Sequence, residues 1–494
     1  MNSKFKYSRP CRTVTSSVSI ALLFVLGAMS IPTSAQPNAG RLVLDVPGYP
    51  LLLELNEGQM YSVKRTYKNR TVERTIKLVS IRHFTESNLW FSGSLPSWNY
   101  SKAEVMIEVS GTPVTLLHRA YQMPVTAGGL RLYVETTKEW AQNAELADMK
   151  DVERDVRLSV CLEEEPWGPT DIEFPINDYR WRSGAYNNTW SSLVPYNKLY
   201  YHRGEDYGAI PDLLPVVSPV NGTIISTPLP EGDGKSNGIR IRNDAGFVFR
   251  ISHMNIETIN KDNVEGKEIT AGTLLGKTGM TWDGRKSQDA DPHCHIDMSY
   301  DNTHVASFPY LMEAYLRKYG DPVVAVAGGY QFTTAGQKIT LDAGRSIAGE
   351  RIASYTWKLN DGEVIQSAVA EVKYENPGLY TEELIVTTES GDEDRDFIQV
   401  RVYEPNEKIR DLAYGWAYFN PVRNVKAAQP TLFWNRIMNA GEIVIDFGDG
   451  TRKQIIGREL NHTFSKPGIY TVTLSGTDKQ KRPVSVKLEV PVGQ

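Results

Sequence analysis

The chain is poor in cysteine and histidine, and it has no long apolar run beyond its first residues. Three cysteines among 494 residues cannot build the multi-bridge framework of a small secreted domain. Cys11 lies in the N-terminal segment. Cys161 and Cys294 are read as buried small residues, with a bridge between them as the lesser alternative. No stretch after residue 35 offers the roughly 20 apolar residues of a membrane span. A surplus of positive charge is missing too. Lys4, Lys6, Arg9 and Arg12 precede an apolar run from Val18 to Ile31, and Thr33-Ser34-Ala35 supplies small residues for cleavage. This is the pattern of a signal peptide over residues 1–35, with an uncleaved anchor as the alternative. Its removal takes four cations and no anion from a net charge of −5, leaving −9. That balance argues against a nucleic-acid binder or a polybasic membrane binder. A secreted, periplasmic or cell-surface protein is expected.

At this length one core is too few. Alternating apolar and polar positions, as in Arg41–Val46, Thr75–Ile81 and Glu104–Val109, predict half-buried strands in an N-terminal β domain over 36–166. Glu139–Arg154 is expected to be a helix or helical connector. An aromatic, loop-like bridge from Trp167 to Tyr201 passes through Trp181, Tyr186 and Trp190; core or interdomain packing is its expected role. Short strands with glycine turns follow, at Gly222–Ser226, Gly238–Arg242, Phe247–Ser252 and Gly272–Gly276. Phe308–Tyr319 reads as a closing amphipathic helix with Leu311, Met312, Tyr315 and Leu316 on one side, and Pro322 starts a linker. The remainder repeats at about 90 residues. One copy carries Trp357-Lys-Leu-Asn-Asp-Gly362 and Pro377-Gly-Leu-Tyr380; the other carries Ile445-Asp-Phe-Gly-Asp-Gly450 and Pro467-Gly-Ile-Tyr470. These copies resemble PKD-type immunoglobulin-like repeats, placed at 321–404 and 405–494, and the resemblance implies contact with an extracellular polymer.

Four of the eight histidines fall in three short motifs, His202-Arg-Gly-Glu-Asp206, Ser252-His253-Met254 and Pro292-His293-Cys294-His295. On a strand, positions two apart share a face, so His293 and His295 project together while Cys294 and Ile296 pack the other way. An extended reading of 202–206 likewise puts His202, Gly204 and Asp206 on one face, with the glycine leaving room for a metal and its water. Three of the groups His202, Asp206, His293 and His295 are enough for a zinc ion with an open position. Water bound there is acidified to a pKa of about 7. His253 and the spare member of the 293/295 pair suit proton transfer or oxyanion stabilisation. Asp297, on the same face, is placed to orient a ligand from the outer shell.

The ordered series of these motifs with Ser218–Thr223, Gly238-Ile-Arg-Ile241 and Thr270–Gly279 resembles the lysostaphin-like (LytM-type) zinc metallopeptidases. The resemblance covers about 100 residues, within a domain placed at 167–320. It implies an antiparallel β fold cleaving peptide bonds, with Zn2+ held by His202, Asp206 and His295. His293 and His253 then become the catalytic histidines, and peptides of peptidoglycan the substrate. Cys294 stands where the family usually has leucine, on the core side. Met280–Asp291 is longer than a minimal turn and is expected to border the cleft. The chain as a whole is thus read as mainly β and multidomain. It has an N-terminal β domain, an antiparallel β peptidase domain and two C-terminal immunoglobulin-like β-sandwiches. Its expected function is a secreted zinc metalloendopeptidase acting on stem or cross-link peptides. The alternatives are an extracellular protease acting on proteins, or a non-catalytic wall- or matrix-binding protein. The N-terminal domain is a candidate cover for the cleft. His83, His118, His304 and His462 are expected to be structural, and Asp446 and Asp449 to make Asx turns.

Overall fold

The computed structural model describes residues 41–42, 50–87, 98–143, 151–195, 199–286, 290–300, 302–404, 407 and 411–494. The signal peptide expected over residues 1–35 lies outside them. The fold is mainly β, in several antiparallel sheets. Among the described residues no helix is long and apolar enough to cross a membrane.

Alternation does what it should in the N-terminal domain. In Leu51–Leu55 the residues are buried and half-buried by turns, as a strand with one face on a core requires. That strand belongs to a four-stranded sheet with Val156–Leu162, Leu130–Thr137 and Val125–Ala127. A five-stranded sheet that includes Met60–Tyr67, Arg70–Ser87 and Trp98–Val109 packs against it through Leu53, Ile76, Val105, Leu132 and Leu158. The helix expected at Glu139–Arg154 is corrected. A single turn, Lys138–Ala141, forms where Thr137 Oγ1 accepts the Trp140 N–H, and Gln142 closes it. Residues 151–154 are not helical, and 144–150 lie outside the described residues.

The central sheet is built from β1 (Glu205–Gly208), β2 (Gly222–Ser226), β3 (Ile239–Arg242), β4 (Phe247–Ser252), β5 (Glu268–Ile269) and β6 (His293–Tyr300). Its order is β1-β6-β4-β3-β2-β5, antiparallel throughout, with Thr303–Val305 added to β6. β6 is therefore central, flanked by β1 and β4. Its Cys294, Ile296 and Met298 enter the main core with Ile241, Phe249 and Tyr207, which leaves His293, His295 and Asp297 on the opposite face. The helix Phe308–Tyr319 closes the region, with Leu311, Met312 and Tyr315 buried and Gly320 capping it at φ +65°. The aromatic bridge is packing, as expected: Trp167, Trp181, Tyr186 and Trp190 are all buried.

The linker expected at Pro322 is a second correction. Val323–Ala327 is buried. Val323–Val324 pairs with Ile347–Ala348, and the Ala325 and Ala327 N–H groups donate to Asp394 (2.9 Å) and Asp396 (3.0 Å). Two β-sandwiches follow. The larger sheet of the first (Ile352–Lys358, Gly378–Thr388, Glu393–Tyr403) joins that of the second (Ala440–Asp446, Gly468–Asp478, Pro483–Gly493) at the pair Leu379↔Val484. The second also has a three-stranded sheet, Tyr414–Asn420, Pro430–Met438 and Glu459–Thr463. Cys161 and Cys294 are free and buried, and burial pushes the Cys161 thiol up to about 12. His462 is packed, stacked on Phe447 and bonded to Asp449 at 2.7 Å. The Asx turns are present, with Asp446 accepting from Gly448 N–H and Asp449 from Thr451 N–H, each at 2.9 Å.

Candidate metal centre

The pairing register of β1 on β6 places Asp206 directly across from His295 and Gly208 across from His293. On the other flank, Ser252 at the end of β4 pairs with His295. His253 follows at a left-handed φ of +66°, and its ring comes to 4.5 Å from that of His293, centroid to centroid. His202 lies in the segment before β1, tied by its backbone to Ser192 O and the Ser191 N–H. All five residues singled out in the sequence thus meet in one place. His202, Asp206 and His293 are nearly inaccessible, His295 is 9% exposed and His253 is half-buried. What exposure the cluster has is at His253 and His295.

The extended reading of 202–206 does not hold. β1 starts at Glu205, and Gly204 sits at φ +95°. A Cβ at 204 would meet Ile296 O at 2.6 Å and His295 Cε1 at 3.0 Å. The glycine makes room for β6 and not for a metal.

The donor set fits a divalent ion. His202 Nδ1–H donates to Gly204 O at 3.0 Å, leaving Nε2 free, 3.2 Å from Asp206 Oδ1. His295 turns Nε2 to Asp297 (3.3 Å) and Nδ1 to Asp206 Oδ1 (2.8 Å). These ligand atoms lie within 4.8 Å of one another; an ion with ligands at about 2.1 Å in a tetrahedral array needs them about 3.4 Å apart. Asp297, on the same face of β6, faces His295 Nε2, and Arg250 Nη1 holds it in turn at 2.9 Å. Burial alone would raise the Asp206 carboxyl, but His202 and His293 hold it well below the usual carboxylate range. Burial works against charge on His295 as well. Its hydrogen bonds to Asp206 and Asp297 outweigh that and lift it to about 9. His253 and His293 are pushed the other way, first by burial; nearby imidazoles hold His253 well below its usual range. Both stay neutral at pH 7 and each can take a proton.

Several residues of the site were not foreseen. Asn188, within the aromatic bridge, donates to Asp206 Oδ2 at 2.7 Å. His253 Nδ1 donates to Thr281 O at 2.6 Å, and His293 Nδ1 to Asp291 O at 2.9 Å. Each catalytic candidate therefore has a free Nε2, and His293 Nε2 lies 3.6 Å from Asp206 Oδ1. Tyr186 and Trp282 pack on the His293 ring at 4.8 and 5.3 Å. An asparagine in a loop and two backbone carbonyls carry no signature in a sequence. The extra length of Met280–Asp291 was the one available signal.

The N-terminal domain meets the central region through Glu135, which accepts from Ala306 N–H and Trp190 Nε1–H (2.7 and 2.8 Å), and through the Arg131–Glu313 ion pair.

The PKD domain family matches residues 320–402 and 437–490, and the C-terminal sandwiches are of that type. Among solved structures, a candidate glycyl-glycine endopeptidase LytM from Ruminococcus gnavus is similar at 21% identity and a TM-score of 0.23, over 30% of this chain and 61% of that one. This chain thus spans less than two thirds of that protein. A zinc-containing peptidase from Vibrio cholerae is similar at 15% identity and a TM-score of 0.23, over 48% of this chain and 85% of that one. Csd3 from Helicobacter pylori is similar at 10% identity and a TM-score of 0.22, over 55% and 79%. These are likenesses of fold.

Proposed function

We propose that the chain is a zinc metalloendopeptidase, exported by residues 1–35, that hydrolyses peptide bonds in the stem or cross-link peptides of peptidoglycan. One observation carries this reading: His202, Asp206 and His295 converge with their free ligand atoms facing one another, while His253 and His293 present free Nε2 atoms beside them. Zinc held by the three ligands supplies Lewis acidity and acidifies water. The protein's own work is with protons. A neutral imidazole at 253 or 293 accepts the proton of the attacking water at Nε2 and passes it to the amine nitrogen as the C–N bond breaks. The other imidazole, with its Nδ1–H committed to a backbone carbonyl, holds no proton on Nε2 while neutral and donates to the carbonyl oxygen only once protonated there. Nδ1–H bonds to Thr281 O and Asp291 O fix the tautomer in which Nε2 is the proton acceptor. The peptidoglycan assignment draws support from the resemblance of the ordered motif series to lysostaphin-like enzymes.

The purified protein is expected to hold about one zinc per chain. His295→Ala should lose most of it, and His293→Ala should keep the metal and lose turnover. Incubation with isolated sacculi, and separately with casein, should release new amino termini from the sacculi only, and not in the presence of chelator. Full activity of His293→Ala would remove that residue's role. Binding to sacculi without cleavage under zinc-replete conditions would replace the enzyme by a wall-binding protein.

A further inference from the structure

The two carbonyls that orient His253 and His293 sit at the two ends of one loop, and the C-terminal sandwich grips both ends. Thr281 O serves His253, and Asp291 O serves His293. Beside them, Met280 and Ala290 are buried in one apolar cluster with Trp416, Tyr418 and Trp434 of the three-stranded sheet. Arg436, on the strand Pro430–Met438, is 3% exposed. Its Nη1 donates to Ala290 O and lies 3.9 Å from Met280 Sδ, and its Nε is 3.4 Å from Asp291 Oδ1. Trp416 adds a second contact. Its ring stands edge-on to Tyr186 at 4.8 Å, and Tyr186 in turn lies 4.8 Å from His293.

We propose that Arg436 is a positioning residue for both histidines: one guanidinium from the C-terminal sandwich spans the ends of the 280–291 loop and holds the Thr281 and Asp291 carbonyls where they aim each Nε2 at the ligand cluster. The reading of His253 and His293 as proton-handling groups underlies this proposal. The guanidinium suits the task because it is planar and presents its donors in a fixed fork. It is buried, so removing it strands the Asp291 carboxylate and the Ala290 carbonyl without their partner, and the loop must shift to rehydrate them. A shift there carries both histidine acceptors with it. The C-terminal sandwich is then a wall of the catalytic site.

The test uses the full-length chain with Arg436→Met, which keeps the aliphatic stem and removes the fork, and Arg436→Lys, which keeps charge without the fork. Two readouts are taken: kcat and KM of the zinc-loaded enzyme, and the downfield Hδ1 proton resonances of His253 and His293, identified by their loss in His253→Ala and His293→Ala. In Arg436→Met both resonances should broaden or vanish with zinc content unchanged. The rate constant kcat should fall by about tenfold or more while KM stays within about twofold. Arg436→Lys should fall between this variant and the wild type. Retention of both resonances and of wild-type kcat in Arg436→Met overturns the proposal; if that variant does not fold, the same result in Arg436→Lys overturns it. Should the wild type cleave no peptide at all, the peptidase reading falls, and the resonances decide the positioning role alone: their loss supports it and their retention overturns it.

Discussion

Gly204→Ala is the sharpest perturbation available, because its cost can be worked out atom by atom. The backbone there is at φ +95°, where an L residue costs about 1–2 kcal/mol. The new Cβ would stand 2.6 Å from Ile296 O, 2.9 Å from Asp297 Cβ and 3.0 Å from His295 Cε1. Ile296 pairs with Glu205 on one side and Ile251 on the other, so its carbonyl cannot retreat cheaply. Overpacking of this kind adds about 1–3 kcal/mol, giving about 3 kcal/mol in all. The segment before the edge strand β1 yields before the central strand does. That segment carries His202, whose Nδ1–H bonds the Gly204 carbonyl, so the displacement pulls one ligand out of line. At about 1.4 kcal/mol per tenfold, 3 kcal/mol corresponds to about a hundredfold weaker zinc binding. The assay is competition with a chromophoric chelator, alongside thermal unfolding of the metal-free proteins. Gly272→Ala is the control: it has a similar φ of +83° but nothing within 4 Å of its Cβ. It should lose about 1 kcal/mol of stability and no zinc affinity. Binding by Gly204→Ala within about threefold of wild type, or a loss no greater than that of Gly272→Ala, would refute the reasoning.

Two further outcomes concern pH. His295 is lifted to about 9 by Asp206 and Asp297 against its burial; zinc must displace that proton, so affinity should rise about tenfold per pH unit between 6 and 8, with about one proton released per ion bound. Calorimetry in buffers of different ionisation enthalpy counts the proton, and a pH-independent affinity would exclude the coupling. Glu135 is pushed by burial from 4.5 up to about 7. A carboxyl raised on folding contributes stability below its unfolded pKa and loses it as pH rises through the folded value. The wild type should therefore lose about 3 kcal/mol between pH 4.5 and 7 from this group. Glu135→Gln should flatten that part of the profile in urea unfolding at pH 5 and 8; identical slopes in the two proteins would count against it.

What could be read from the sequence was what depends on period and spacing. The bounds of Gly222–Ser226, Phe247–Ser252 and Phe308–Tyr319 appear in the structure as expected, because strand alternation and helical periodicity are local. The shared face of His293 and His295 follows from the same geometry. Gly204 was misread because residue spacing does not report the sign of φ. The buried run Val323–Ala327 looked like a linker after Pro322, yet its N–H groups find carboxylates about 70 residues downstream, a pairing with no local trace. The helix expected after Glu139 stopped at one turn. Thr137 caps it, and its N-terminal Lys138 N–H bonds Asp155 O, so tertiary contact outweighed propensity. The repeat was visible in its Asp-Phe-Gly-Asp-Gly and Pro-Gly-x-Tyr segments, but the joining of two sheets through Leu379↔Val484 was not.

The corrected linker changes how the modules should be viewed. Asp394 and Asp396 lie two apart on the strand Glu393–Tyr403, so they share a face, the one that carries Ile398 and Val400 into the core of the first sandwich. Asp396 accepts from Ser183 N–H at 3.2 Å, from Ser183 Oγ–H and from Ala327 N–H. Asp394 accepts from Ala325 N–H and pairs with Arg182 Nη2 at 2.8 Å, while Arg180 Nη2 reaches Glu489 at 2.8 Å. This strand thus grips the residues 180–183 that lead to Tyr186 and Asn188. Asn188 holds Asp206, and Tyr186 packs on His293. Buried ion pairs of this kind add little net stability, because desolvation cancels most of the attraction. Their geometry is nonetheless demanding, and a misplaced partner leaves a charge stranded in the interior. The network therefore acts on orientation more than on stability: it fixes where residues 180–188 lie, and with them Asp206 and His293.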